Sequence, residues 1–280
     1  MTLLSVAVMG RGAVDPNEPL LHVDDEGVLR GRAVFETIRV YERHPFRLDA
    51  HLDRLAASAA RIGLPPVDRS GLTLAVEQAL TAAEQPDAVL RLLWTPGREG
   101  AGRSTGLALV STLPVGHKEL RARGLRVATV PWTPGALIAG VKSTSYAENI
   151  AAQEDAARRG ADDALFVAPE DVVLEAPTSN VFFREDRRLL TPSLELPILA
   201  GVTRATVIEL ATDAGYGVEE GRFPLERLLA AEEVLLTSSI REVMGVVAVD
   251  GHTIALGEPG PAAESLQRAL RAAAGYPLDR

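Results

Sequence analysis

Apolar and polar residues alternate from Val34 to Tyr41 (Val34-Phe35-Glu36-Thr37-Ile38-Arg39-Val40-Tyr41), which predicts a half-buried strand. Glu42-Arg43-His44-Pro45 reads as a turn and Phe46-Arg47-Leu48 as the returning strand. The period then changes. Leu52, Leu55, Ala59 and Ile62 recur at helical spacing, with Asp49 as the expected N-cap and Gly63-Leu64-Pro65-Pro66 as the stop. A second helix is expected from a cap at Ser70 through Leu80, followed by strands over Val89–Trp94 and Leu107–Thr112. Met1–Met9 reads as a first strand.

Leu113-Pro114-Val115-Gly116 breaks the pattern. Beyond it the expected strands are Leu125–Val130, Ala164–Val167, Val172–Leu174, Val181–Phe183, Val234–Thr237 and Val246–Val249, the last running into an Asp250-Gly251 turn. Helices are expected over Tyr146–Arg159, Thr203–Ala214 and Ala262–Ala274. Strands outnumber helices and no βαβ alternation is sustained, so the expected class is α+β rather than a doubly wound sheet. The expected division is a small α+β domain over residues 1–113, a connection over 114–121 and a larger domain over 122–280.

At 280 residues the chain can bury the cores of two modest domains. A net charge of −9 argues against a nucleic-acid partner, which would favour a basic face. Cysteine is absent, which removes disulfides and thiolate metal sites, and the five histidines are scattered without ligand spacing. No metal is expected. The apolar N-terminus lacks a basic start and is too short to span a bilayer, so a cytoplasmic protein with no membrane partner is expected.

Candidate chemistry centres on Lys142, a rare lysine in an arginine-rich chain, which closes Ala139-Gly140-Val141-Lys142 and precedes Ser143-Thr144-Ser145-Tyr146-Ala147-Glu148-Asn149. Glu175-Ala176-Pro177-Thr178-Ser179-Asn180-Val181-Phe182 follows a strand-like run. Two candidate anion-binding turns come later, Gly201-Val202-Thr203-Arg204 and Thr237-Ser238-Ser239. A lysine amine, a carboxylate and two turns rich in N–H and hydroxyl donors are the set needed to hold pyridoxal 5'-phosphate. In this order, with His51-Leu52-Asp53-Arg54-Leu55, the set resembles the class IV aminotransferases, the fold-type IV pyridoxal-phosphate enzymes.

That resemblance implies a small α+β domain and a larger domain with a pseudo-barrel β core. It implies Lys142 as the Schiff-base lysine and proton carrier, Glu175 on the pyridine nitrogen, and Arg54 on the phosphate with Gly201, Val202, Thr203, Ser238 and Ser239. It puts Leu199 against the ring and Asn180 in the ordering of its loop. Phe35, Tyr146, Ile240 and the arginines Arg98, Arg103 and Arg241 are the candidates for binding substrate. Tyr146 falls one place before the tyrosine that branched-chain relatives set on the cofactor's phenolic oxygen. A homodimer that completes each site with partner residues is also implied.

Three reactions share this frame. Branched-chain aminotransferases usually follow the lysine with a glycine pair, whereas this chain has Ser143-Thr144-Ser145. The helix His51-Leu52-Asp53-Arg54-Leu55-Ala56-Ala57-Ser58-Ala59 and the spacing from Lys142 to Asn149 are similar to D-amino-acid aminotransferases. Those enzymes usually clamp the substrate carboxylate with an arginine and a histidine after the strand Val89–Trp94, and the segment 95–103 has no histidine. The favoured expectation is ping-pong transamination between a D-amino acid and a 2-oxo acid, with (R)-primary amines as side substrates because the clamp is altered. Aminodeoxychorismate lyase and L-branched-chain aminotransferase are the alternatives, and a catalytically silent cofactor-binding protein is the non-enzyme alternative.

Overall fold

The computed structural model describes all 280 residues except 101, 134, 136 and 277–280. The chain forms two compact units, one of Met1–Val115 with Val141–Tyr146, the other of Gly116–Gly140 with Ala147–Arg280. The segment carrying Lys142 therefore folds with the N-terminal unit, although the chain on both sides of it belongs to the second.

The first unit contains β1 (Leu3–Val8), β2 (Gly12–Val14), a short α1 (Glu26–Leu29), β3 (Val34–Tyr41) and β4 (His44–Pro45). It continues with α2 (Leu48–Arg61), α3 (Arg69–Ala83), β5 (Ala88–Thr95) and β6 (Thr105–Ser111). Six antiparallel strands run in the order β2-β1-β6-β5-β3-β4. Val34, Ile38 and Val40 from one face of β3 pack with Leu90 and Leu92 of β5 and with Leu52, Leu55, Leu72 and Val76 from α2 and α3. Each fully buried leucine here contributes about 2–3 kcal/mol.

Three local expectations are corrected in this unit. The hairpin turns on Glu42 and Arg43, both at positive φ, so the return strand is only His44–Pro45. Positive φ at both turn positions matches the twist of the flanking strands, and the missing N–H of Pro45 is tolerated because β4 is an edge strand. Phe46-Arg47-Leu48 is thus not a strand: Arg47 takes a left-handed conformation at φ 55° and α2 starts at Leu48, which leaves Asp49 inside the first turn rather than at the cap. Asp68, not Ser70, caps α3, accepting from Gly71 N at 2.9 Å.

The second unit opens with α4 (His117–Arg123), β7 (Leu125–Pro131), α5 (Ala147–Arg158) and β8 (Asp163–Ala168). Then come β9 (Val172–Val173), β10 (Glu175–Ala176), β11 (Ser179–Glu185), β12 (Arg188–Pro192), α6 (Val202–Ala211) and β13 (Gly217–Gly221). The unit ends with α7 (Leu225–Leu229), β14 (Glu233–Ser238), β15 (Glu242–Val249), β16 (His252–Thr253) and α8 (Pro261–Ala273). Its ten-stranded sheet has the order β13-β12-β11-β14-β15-β7-β8-β9, with β10 added to β11 and β16 to β15. Among the described residues only β12–β13, β15–β7 and β7–β8 pair in parallel.

One face of β11 and β14 (Val181, Phe183, Val234, Leu236) builds one core. The opposite face (Phe182, Leu235) packs under α6 and α8 with Val207, Ala211, Leu266 and Leu270. The fold is α+β, as the mixture of periods predicts. β12 and β13 carry no periodic signal in the sequence because Arg187, Arg188, Glu219 and Glu220 break any apolar alternation. β13 is an edge strand with no residue fully buried, so its sequence needs none. Among the described residues no helix is long and apolar enough to cross a membrane.

Candidate active site

In the first unit the chain on either side of Lys142 is stapled to β3 and α2. Phe35 N donates to Lys142 O at 3.0 Å, Thr144 N donates to Ala33 O at 2.9 Å, and Val34 and Ser143 form a bridge. Lys142 N donates to Ser58 Oγ of α2 at 3.3 Å, and Val141 packs on the apolar core. The hydroxyls of Thr144 and Ser145 both donate to Gly31 O, at 3.1 and 3.0 Å. Gly31 stands at φ 61°, where an added Cβ would lie 2.6 Å from Ser145 Oγ. The serine and threonine residues after the lysine thus anchor the backbone, which fixes where the amine starts. Lys142 Nζ lies 4.6 Å from the Phe35 ring centroid, and Tyr146 meets that ring edge-on at 5.5 Å.

Below this segment a carboxylate is sealed into the unit. Glu36 is fully buried. Arg54 donates to both of its oxygens, from Nε at 2.8 Å and Nη2 at 2.6 Å, and His51 Nδ1 lies 2.7 Å from Oε2. Burial alone would raise the Glu36 pKa, but the Arg54 fork and charge, with His51, hold it down at about 2. For His51 burial wins and its pKa falls below the ordinary 6.5, so the ring is neutral and donates from Nδ1. The charge of Lys142 is among the groups that push it down.

Glu36 and His51 were not among the residues singled out from sequence, yet the signal was there. Glu36 shares the phase of Val34, Ile38 and Val40 in the strand alternation, and His51 lies four residues before Leu55 on the apolar face of α2. A charged and a titratable residue at core phases of two adjacent elements predict a buried pair.

In the second unit Glu175 starts β10 and is partly buried. Its Oε1 accepts from Leu199 N at 3.1 Å and its Oε2 from Asn180 Nδ2 at 3.0 Å. Register places Glu175 opposite Asn180 and Asn180 opposite Thr237, so three side chains from β10, β11 and β14 form one row on the face covered by α6. Two strand spacings separate the ends of that row, roughly 10 Å. Gly201 caps α6, whose opening residues Val202 and Thr203 present backbone N–H groups without intrahelical partners. Thr237 Oγ1 is buried and has no hydrogen-bond partner among the described residues.

The turn after β14 is held on both sides. Ser238 Oγ accepts from Arg241 N at 3.3 Å, and Arg121 Nη2 donates to Arg241 O at 2.8 Å and to buried Glu242 at 2.9 Å. The Arg241 guanidinium is paired with Asp163, a fully buried carboxylate that also accepts from Gln153 Nε2 at 3.1 Å. Ser239 and Ile240 lie in the same turn. Arg204 is structural, donating to Pro192 O and Glu220. On the first unit Arg98 is half-exposed and paired with Asp24 at 2.8 Å, and Arg103 is exposed. Among the described residues no group of three or more His, Asp or Glu side chains is placed to hold a metal.

Residues 33–249 match the family model of amino-transferase class IV. The chain is 34% identical over 263 residues to a bifunctional aminodeoxychorismate lyase / D-amino acid transaminase of Mycobacterium tuberculosis, covering 86% of this chain and 90% of that one. A hypothetical aminotransferase from M. tuberculosis in its PLP-bound form superposes with a TM-score of 0.89 at 33% identity, over 96% of this chain and 98% of that one. A branched-chain aminotransferase from the thermophilic archaeon Thermoproteus uzoniensis, with norvaline, gives a TM-score of 0.87 at 29% identity, over 98% of this chain and 95% of that one. The chain belongs to the class IV aminotransferases. It is, by that membership, a pyridoxal-phosphate-dependent transaminase.

Proposed function

We propose that this transaminase moves an amino group between D-amino acids and 2-oxo acids in a ping-pong cycle, with Lys142 as the lysine that carries pyridoxal 5'-phosphate. The observation that carries the reading is the setting of Lys142. It is one of only two lysines in the chain, its backbone is stapled to β3 and α2, and its amine lies over Phe35. The donor set fits the cofactor. The α6 N-terminus offers backbone N–H groups, and the Thr237 hydroxyl is an orphaned buried group of the kind a phosphate oxygen satisfies.

When bound, the cofactor supplies an electron sink for the carbon that bears the amino group. Lys142 Nζ would hold the cofactor and, once released, would be the base that moves a proton at the substrate carbon. Glu175 holds a proton on the ring nitrogen through its carboxylate, and Leu199 packs against the ring while its N–H orients that carboxylate. Gly201, Val202, Thr203, Ser238 and Ser239 bind the phosphate through N–H groups and hydroxyls. Glu36 fixes the guanidinium plane of Arg54, so that this residue meets the phosphate in one orientation.

Phe35, Tyr146 and Ile240 contribute apolar and aromatic surface to the substrate. Of the three candidate arginines, Arg241 is pinned by a buried carboxylate, so Arg98 and Arg103 are the better groups for the substrate carboxylate. Both stand on the surface, which supports a loose clamp and acceptance of (R)-primary amines. We also propose a cytoplasmic homodimer as the working form.

D-amino-acid preference draws on the helix around Arg54, the spacing after Lys142 and the M. tuberculosis relative. That relative's bifunctional description also favours a second reading, 4-amino-4-deoxychorismate lyase. Borohydride reduction and peptide mapping should place the pyridoxyl group on Lys142; a label on Lys118 would overturn the assignment. A panel of D-alanine, L-leucine and an (R)-arylamine, with an assay for 4-aminobenzoate, tests the substrate. D-alanine should bleach the cofactor band. Bleaching by L-leucine alone would move the chain to the branched-chain group, and 4-aminobenzoate formation without a D-alanine response would make it the lyase.

A further inference from the structure

We propose that Asn180 is a positioning residue that ties the Glu175 carboxylate to the 199–201 turn, and that residue 201 is glycine to leave room for it. The proposal rests on Glu175 being the partner of the cofactor's ring nitrogen. Asn180 is almost fully buried, and its Nδ2 donates to Glu175 Oε2 at 3.0 Å and to Leu199 O at 2.9 Å. Leu199 N closes the circuit by donating to Glu175 Oε1 at 3.1 Å. Both carboxamide hydrogens are used, and a flipped amide would set Oδ1 against two acceptors, so the orientation is compelled.

That orientation turns Oδ1 towards Gly201, where an added Cβ would stand 1.9 Å away. Gly201 has φ −68°, a conformation open to any residue, so the amide of Asn180 rather than the backbone demands glycine here. The consequence is mechanical. Glutamate is a flexible side chain, and one bond on each oxygen removes that freedom. Through Leu199 the carboxylate also becomes continuous with the N-terminus of α6, so the ring-nitrogen partner and the anion-binding turn are held at one spacing.

The test uses holoenzyme and reconstituted apoprotein of wild type, N180A, the isosteric N180D, G201A, N180A/G201A and E175Q. Affinity for pyridoxal 5'-phosphate, the pH profile of the bound cofactor's visible band and the far-UV circular dichroism are measured. N180A should bind the cofactor about tenfold more weakly. The acid limb of its band profile should move to higher pH, because a carboxylate with one donor fewer is protonated more readily. N180D should shift both readouts in the same direction while preserving shape. G201A should resemble N180A, because its methyl group evicts the amide, and the double variant should be no worse than N180A.

A merely structural asparagine would lower the melting temperature and leave the band profile in place. Wild-type affinity and band profile in N180A and N180D, beside a changed E175Q, would overturn the proposal while leaving the Glu175 assignment standing. Effects of N180A and G201A that multiply in the double variant would overturn it too. An E175Q variant indistinguishable from wild type would remove the Glu175 assignment and this proposal together.

Discussion

Two buried or half-buried glutamates, one in each unit, show how partners decide what a carboxylate can do. Glu36 is sealed in the first unit, with an arginine fork on both oxygens and a histidine on one of them. Its charge is matched by cationic and polar partners from α2, and its work is to orient Arg54. Glu175 stands at the start of a two-residue strand in the second unit, and Leu199 and Asn180 each bring it a neutral N–H. These two donors orient the carboxylate without themselves adding charge, whereas the guanidinium on Glu36 does both. The first arrangement is a buried ion pair, and the second holds the carboxylate that, in the function proposed above, would meet the ring nitrogen.

The sharpest way to break this contrast is to remove charge from each without changing size. E36Q should destabilise the protein by about 3–5 kcal/mol in urea unfolding, because Arg54 is left in the interior without its anion. E175Q should unfold within about 1 kcal/mol of wild type, since an amide can still accept from Leu199 N. Its half-reaction with an amino donor should nevertheless slow by on the order of 10²–10³. A reversed pattern, with E36Q stable and E175Q fully active, would dissolve the distinction.

Acid sharpens it further. The folded pKa of Glu36 lies below its ordinary 4.5, so its contribution to stability is complete above 4.5 and is lost as pH falls towards about 2. The folded pKa of His51 is also depressed, so a second loss begins as pH falls below 6.5, where the unfolded ring binds a proton that the folded one refuses. Unfolding free energy should therefore decline below pH 6.5 and steepen below 4.5, and E36Q should lack the steep lower limb. A parallel decline in E36Q would assign that limb to other carboxylates. The smallest effect is expected at the surface. R98A breaks a half-exposed pair with Asp24 and should change stability by less than about 1 kcal/mol, while raising KM for an amino acid more than for a primary amine.

Much of the fold was legible because its segments are locally consistent. Val34–Tyr41 was read as the strand that exists, and the helices at Leu48–Arg61 and Pro261–Ala273 lie within a few residues of their expected bounds. Where pattern and structure differ, backbone conformation decides against pattern. Glu42, Arg43 and Arg47 adopt positive φ, which side-chain type does not announce, and the hairpin closed earlier than Glu42–Pro45 suggested. The same held at the site. Lys142, Glu175 and the two hydroxyl-bearing turns were visible as residue types in order, whereas the donors that hold Glu175 depend on the register of β10 with β11, which sets Asn180 opposite it, and on the return of the chain at Leu199.

By itself the sequence determined the periods that build an α+β chain, the absence of cysteine chemistry, and the ordered lysine, carboxylate and hydroxyl-bearing turns that resemble the family's. Only the tertiary structure decided which unit holds Lys142, that Ser143-Thr144-Ser145 anchors its backbone, and that Asp163 occupies Arg241. The physical reason is range. Propensity and periodicity act between near neighbours in the chain, but hydrogen bonds such as Lys142 to Ser58, and ion pairs such as Arg241 to Asp163, join residues some 80 positions apart. Such partners are chosen by packing, which a list of residue types does not contain.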